Sequence, residues 1–278
     1  MSTTFHQLKN KFKVFMNQDP LVLPEDRFDF INCQPCFDCM TEFATSPSLV
    51  LLSHHLREGT CELSCKNGHK TIVCLQNFNF EIHFQIGALA LIDGYYAEST
   101  FAFAKALERA YEFCIKLFSL EDSSSHGFET AWKSIKKSSE RQLGVFIFLY
   151  LKRFKECPLI FPDQKLTSST KCSEFRNNVI HEGYLPSKDE AFAYGKMVFE
   201  YIRGLIVKLQ KEDKEKIQQL TGMHLQNLAN KNKTLNPTTM GGGAILSLVR
   251  SDIEEVSFER EIENLKQRNI KKMRCEHE

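Results

Sequence analysis

Tryptophan is nearly missing from this 278-residue chain, which has one Trp against 23 Phe. An aromatic-lined sugar site is therefore a poor fit, whereas a Phe-rich core suits packed helices. Charge of one sign is also missing, because 36 Lys and Arg meet 35 Asp and Glu for a net charge of +1. That balance excludes a polycation that coats nucleic acid along its whole length, though it leaves room for a local basic groove. Long apolar runs are absent too. The stretches Ile86 to Ile92 and Leu143 to Leu151 fall well short of the ~20 residues that span a bilayer. The start, MSTTFHQLKNKFKVF, has no apolar core of signal-peptide length. There is no GxxxxGK[ST] phosphate loop, no GxGxxG after a strand and no HExxH. ATP hydrolysis, dinucleotide redox chemistry and zinc proteolysis are disfavoured accordingly. The expected compartment is cytoplasmic, with no membrane partner, and no internal repeat stands out.

Cysteine is plentiful and unevenly placed. Six of the ten (Cys33, Cys36, Cys39, Cys61, Cys65 and Cys74) fall within one 42-residue window. Without an export signal, clustered CxxC spacing favours metal over disulfides. Cys33-Gln-Pro-Cys36 forms one ligand pair, and Cys65-Lys-Asn-Gly-His69 forms a second on a Gly turn. Tight turns let two ligands three or four residues apart point at one tetrahedral ion. Cys33, Cys36, Cys65 and His69 are thus the expected ligands of a structural Zn2+, with Cys39, Cys61 and Cys74 as competitors. Four protein ligands leave no open position, so no metal is expected in catalysis.

The composition changes near residue 85. Before it, KTIVCLQNFNFEIHF at Lys70 reads as one or two strands after the turn at Asn67-Gly68. After it, apolar residues recur at helical spacing from Gln85 to Ser119, with Asp93-Gly94 a possible break into two helices. Further helices are predicted over Phe128 to Ile135, Glu140 to Phe154 and Leu166 to Glu182, the last stopped by Gly183. CPLIFPDQ, with two prolines, reads as a loop. Ser187 and Glu190 form a capping box that starts another helix, running to about Lys211. NKNKTLNPTTMGGG reads as a flexible linker. Ala244 to Glu278 then reads as a charged helical tail with an apolar stripe at Ile245, Leu248, Val249, Ile253 and Val256, either a surface helix or a partner-binding arm. The expected class is mainly α. A small zinc-binding, β-containing lobe (1–84) precedes a four- to five-helix bundle (85–211), followed by linker and tail (212–278).

Within the bundle lies Glu174-Phe-Arg176-Asn177-Asn178-Val179-Ile180-His181-Glu182-Gly183. Five residues place Arg176 and His181 about 140° apart around an ideal helix, so spacing alone gives them no common face. As a bare pattern it is more often structural. Glu108 and Arg109 either line a cleft or, as is more usual for a charged pair on an amphipathic helix, form its solvated face, and His54, His55 and His83 lack partner spacing.

In its place near the end of a bundle, the pattern resembles the R-x(4–6)-H motif of the HEPN (higher eukaryote and prokaryote nucleotide-binding) family. FQIGALALIDGYYAESTFAFAKALERAYEFCI is similar to the first long helix of bacterial members that carry a CxxC…CxxGH zinc element ahead of it. The resemblance covers about residues 30 to 210. It implies a metal-independent endoribonuclease, with Arg176, Asn177 and His181 catalytic and a homodimer joining two such sites. The 2′-hydroxyl of RNA would attack the adjacent phosphate to give a 2′,3′-cyclic phosphate, His181 moving protons and Arg176 holding phosphate charge. A toxin or anti-phage effector with an antitoxin or trigger-sensing partner is the expected setting. Several family members are catalytically inactive, so a nucleotide- or partner-binding protein is the alternative. A DNA-binding zinc-ribbon regulator is a third reading, disfavoured because no recognition-helix pattern is seen.

Overall fold

A computed structural model describes residues 31–33, 39, 59–122, 126–231, 237–242 and 244–275. The chain is mainly helical, with eight α-helices and one small sheet among these residues. The sheet begins with β1 (Ile31–Cys33), β2 (Thr60–Ser64) and β3 (Lys70–Leu75). β2 and β3 form an antiparallel hairpin closed by the predicted Asn67-Gly68 turn, where Gly68 has φ +83°. β3 buries every residue after its first, as its β-branched run suggests.

The segment after β3 becomes helical rather than a second strand. α1 (Asn79–Ile92) begins where Glu81 reaches back, its Oε2 accepting from the Phe78 amide at 2.6 Å. The bundle therefore starts before residue 85, and Phe80 and Phe84 belong to its core. Gly94, at φ +86°, breaks the long periodic stretch into α1 and α2 (Tyr96–Phe118). α2 is the central helix, touching α1 and also α4 (Ser139–Phe154), α5 (Cys172–His181) and α6 (Lys188–Glu212). The short α3 (His126–Ile135) precedes α4 and has no fully buried residue. α6 starts at the capping box: the Glu190 amide donates to Ser187 Oγ, and Glu190 Oε2 accepts from the Ser187 amide.

α5 begins at Cys172, six residues later than its pattern predicts. Thr167 to Thr170 turns tightly instead, with the Leu166 amide donating to Thr170 O and the Thr170 amide to Thr167 Oγ1. Such hydroxyl side chains compete with helical hydrogen bonds. α5 ends as expected, with Gly183 at φ +72°.

The largest departure lies after Lys211. α7 (Lys214–Asn230) extends the helical region, and the segment read as a flexible linker contains a strand, β4 (Pro237–Gly242). β4 lies parallel to β3 and antiparallel to β1, giving the order β1-β4-β3-β2. Gly241 suits a crowded place, since a Cβ there would run into the Gln76 side chain. The expected helix from Ala244 is absent before residue 258. Ile245, Leu248, Ile253 and Val256 of its stripe are instead buried in this chain's own core, while Val249 is exposed. That core placement replaces both the surface-helix and the partner-arm readings for this stripe. Among the described residues from Ala244 on, a single 3-10 turn (Ile253–Glu255) and α8 (Phe258–Cys275) are the helical parts, and Phe258 sits fully buried among Phe84, Phe103, Phe192 and Phe199. No helix among the described residues is long and apolar enough to cross a membrane.

Candidate functional site

The first constellation forms at the β2–β3 turn. Cys65 closes β2, and its amide donates to His69 O while the Gly68 amide donates to Cys65 O. This turn brings Cys65 Sγ within 3.6 Å of His69 Nδ1, and Cys39 Sγ lies 3.6 Å from Cys65 Sγ. All three ligand atoms are within 4.8 Å of one another. Two thiolates bound at ~2.3 Å to one tetrahedral zinc stand about 3.8 Å apart, so these separations fit the edges of such a site. Cys65 is buried and His69 exposed. Hydrogen bonding to Cys39 first, and then to Cys65, raises the pKa of the His69 imidazole.

Of the four ligands expected from sequence, Cys65 and His69 are together, and Cys39, expected as a competitor, is the third. Cys36 lies outside the described residues. Cys33 is placed only by the backbone of β1, opposite Met240 of β4. Cys61 is likewise placed only by its backbone, opposite Val73. Cys74 is a core residue, 1% exposed, with its thiol pKa raised by burial.

The second constellation lies where α5 crosses α2. Arg176, a quarter exposed, gives Nη2 to Glu108 Oε1 at 2.9 Å and Nη1 to Asn177 Oδ1 at 2.9 Å. The other Glu108 oxygen accepts from Lys105 Nζ at 2.8 Å. Arg176, Asn177 and Glu108 line an open groove of about 210 Å3, together with Tyr111, Leu143 and Tyr194. Cys172 also borders it, but burial pushes its thiol up to about 11, which keeps it protonated and poorly nucleophilic near neutral pH.

His181, the last residue of α5, is exposed and is not among the groove-lining residues. The structure thus joins Arg176 to Asn177 and leaves His181 apart, as the angular spacing foretold. Glu108 does line the groove, the reading set second to a solvated face on sequence grounds. Its side chain is only 11% exposed, not part of a solvated face. The available signal was its setting, since a carboxylate on a helix as thoroughly buried as α2 needs a cationic partner.

Compared with models of known families, with curated proteins and with solved structures, the chain shows no match.

Proposed function

We propose that the chain is a cytoplasmic endoribonuclease of HEPN type, acting as a toxin or anti-phage effector. The observation that carries this reading is the placement of Arg176. It stands at an open groove, held by Glu108 and Asn177, on the same short helix whose last residue is the exposed His181. Arg176 supplies fixed positive charge to a phosphate in trigonal-bipyramidal geometry, through planar donors that match phosphate oxygens. His181 takes the 2′-hydroxyl proton or returns one to the leaving 5′-oxygen. RNA is cleaved to a 2′,3′-cyclic phosphate, and DNA, lacking the nucleophile, is not.

Arg176 and His181 are separated by about 7.5 Å along the helix axis as well as by angle. The reading therefore pairs two copies, so that His181 of one chain serves the Arg176 groove of the other. Tyr184 and Leu185, apolar and exposed just beyond His181, suit such an interface. Cys39, Cys65 and His69 are proposed to hold a structural Zn2+, with Cys33 or Cys36 completing the set. That ion takes no part in cleavage.

Incubating purified protein with RNA tests the reading. Wild type should yield cyclic-phosphate ends with or without EDTA in the assay. His181→Ala and Arg176→Ala should each be slower by roughly the 10²–10⁴-fold of a general acid–base or charge-stabilising group. Equal rates for wild type and both variants would sink it.

A second reading has one observation in its favour. Glu108 already neutralises Arg176, as suits a silent protein that binds a nucleotide or a partner. On that reading, wild type retains RNA or nucleotide without cutting it.

A further inference from the structure

α2 borders a second cavity, on a different face from the Arg176 groove. Glu108 turns toward α5, whereas Arg109, about 100° further round the helix, borders a space shared with α7. This half-open cavity has a volume of about 290 Å3 and is bordered by α2, α7, the start of α1 and the first turn of α3. That is near the lower bound for small-molecule sites. Its apolar walls include three phenyl rings, Phe78, Phe113 and Phe128. Such walls are wasted on an inorganic ion and suit a flat hydrophobic group.

The charges on the wall do not cancel. Arg109 and Lys116 both pair with Glu112, Lys116 Nζ lying 2.7 Å from Oε1 and Arg109 Nη1 reaching Oε2. Two cations against one carboxylate leave +1. Arg109 Nε is buried without a hydrogen-bond partner among the described residues, an arrangement that loses free energy unless something supplies an acceptor. His224 adds no charge near neutral pH. Burial lowers its pKa, Lys116 reinforces that, and its Nε2–H donates to Leu75 O at 3.0 Å.

α3 forms the roof and holds a reporter. Phe128 and Trp132 are stacked with planes 2° apart, and Lys116 Nζ lies 5.3 Å from the Trp132 ring. Trp132 is the chain's only tryptophan.

We propose that this cavity binds a small flat aromatic molecule carrying one anionic group, its ring among Phe78, Phe113 and Phe128 and its anion on Lys116 and Arg109. An aromatic carboxylate and a nucleoside monophosphate share this chemistry. The site is independent of RNA cleavage, and its test uses no RNA.

Trp132 emission of the full chain is followed while 3-phenylpropionate, AMP or 2-phenylethylamine is added. At least one of the two anions should give a saturable change, and the cationic amine should give none. Tighter binding of AMP identifies a phosphate ligand, and tighter binding of 3-phenylpropionate a carboxylate. Lys116→Gln should weaken the bound anion by about tenfold, and Lys116→Arg should restore it. Glu112→Gln, which removes the internal competitor, should tighten binding by a similar factor, a gain that a misfolded variant does not produce. No saturable change with either anion at millimolar concentration, equal binding of the amine, or an affinity indifferent to both Lys116→Gln and Glu112→Gln overturns the proposal.

Discussion

Phe103 is fully buried between two glycines, Gly87 on α1 and Gly195 on α6. A Cβ on Gly87 would stand 2.7 Å from its ring, and one on Gly195 would press closer still. The ring is packed on every side and has nowhere to move. Gly195→Ala should therefore lower stability by roughly 1–3 kcal/mol despite its better helix propensity, read as a shift in denaturant midpoint. Combining it with Phe103→Leu should recover part of the loss. Glu81 is a different kind of buried residue. Its oxygens accept from the Phe78 amide at 2.6 Å and the Leu248 amide at 2.9 Å, tying the segment after β4 to α1. Burial lifts its carboxyl from the ordinary 4.5 to about 7, against the smaller opposing effect of these hydrogen bonds. Between those two pH values the folded chain holds a proton that the unfolded chain has released. Stability should therefore fall as pH rises through that window and level off above it, by on the order of 3 kcal/mol if no other group compensates. Denaturation from about pH 5 to about pH 8 measures this, and Glu81→Gln should flatten the slope. It should also be less stable at the acid end, because its amide puts a donor where an acceptor is needed.

The metal hairpin belongs to the scale of elements. β2 and β3 pair through a short turn, and β4 borders β3 on its other side, so an ion held by Cys39, Cys65 and His69 would brace this sheet. Elemental analysis should find zinc near one equivalent per chain, and Cys65→Ser should lose it. Hydrogen exchange should then accelerate in β2, β3 and β4, while α2 and α6 keep their protection. Protein purified without chelator and devoid of zinc would remove the metal and this effect together. The local elements were readable in the residues that made them. Gly94 and Gly183 marked helix ends, Ser187 and Glu190 a helix start, and Cys65 and His69 a ligand turn. Residues 237–242 were not readable, because threonines and glycines carry almost no burial pattern. Their strand exists because β3 and β1, both far away in sequence, accept it between them. The partnership of Arg176 with Glu108 was hidden for the same reason, since no sequence period links α5 to α2.

At the scale of the whole molecule, α4 and the loop after α5 leave Phe148, Leu151 and Leu185 exposed. A two-fold pairing that serves the proposed composite site would cover apolar surface of this kind. Light scattering at micromolar concentration should therefore give twice the mass of the 32.1 kDa chain. A monomer would leave His181 without a groove to act on, and the silent-binding reading would gain accordingly.

The parallel pairing of β3 with β4 has a further consequence, for the order in which the chain folds during synthesis. About 160 residues separate the two strands, and Phe258 comes later still. On a ribosome adding roughly 5–20 residues each second, α1 to α6 emerge before β4 and Phe258 do. For several seconds the slot lined by Phe84, Phe103 and Phe199 is open, and β3 offers an unpaired edge to any neighbouring chain. Nascent chains of this protein are accordingly expected to depend on chaperones during that interval, and to aggregate when translation stalls between α6 and β4.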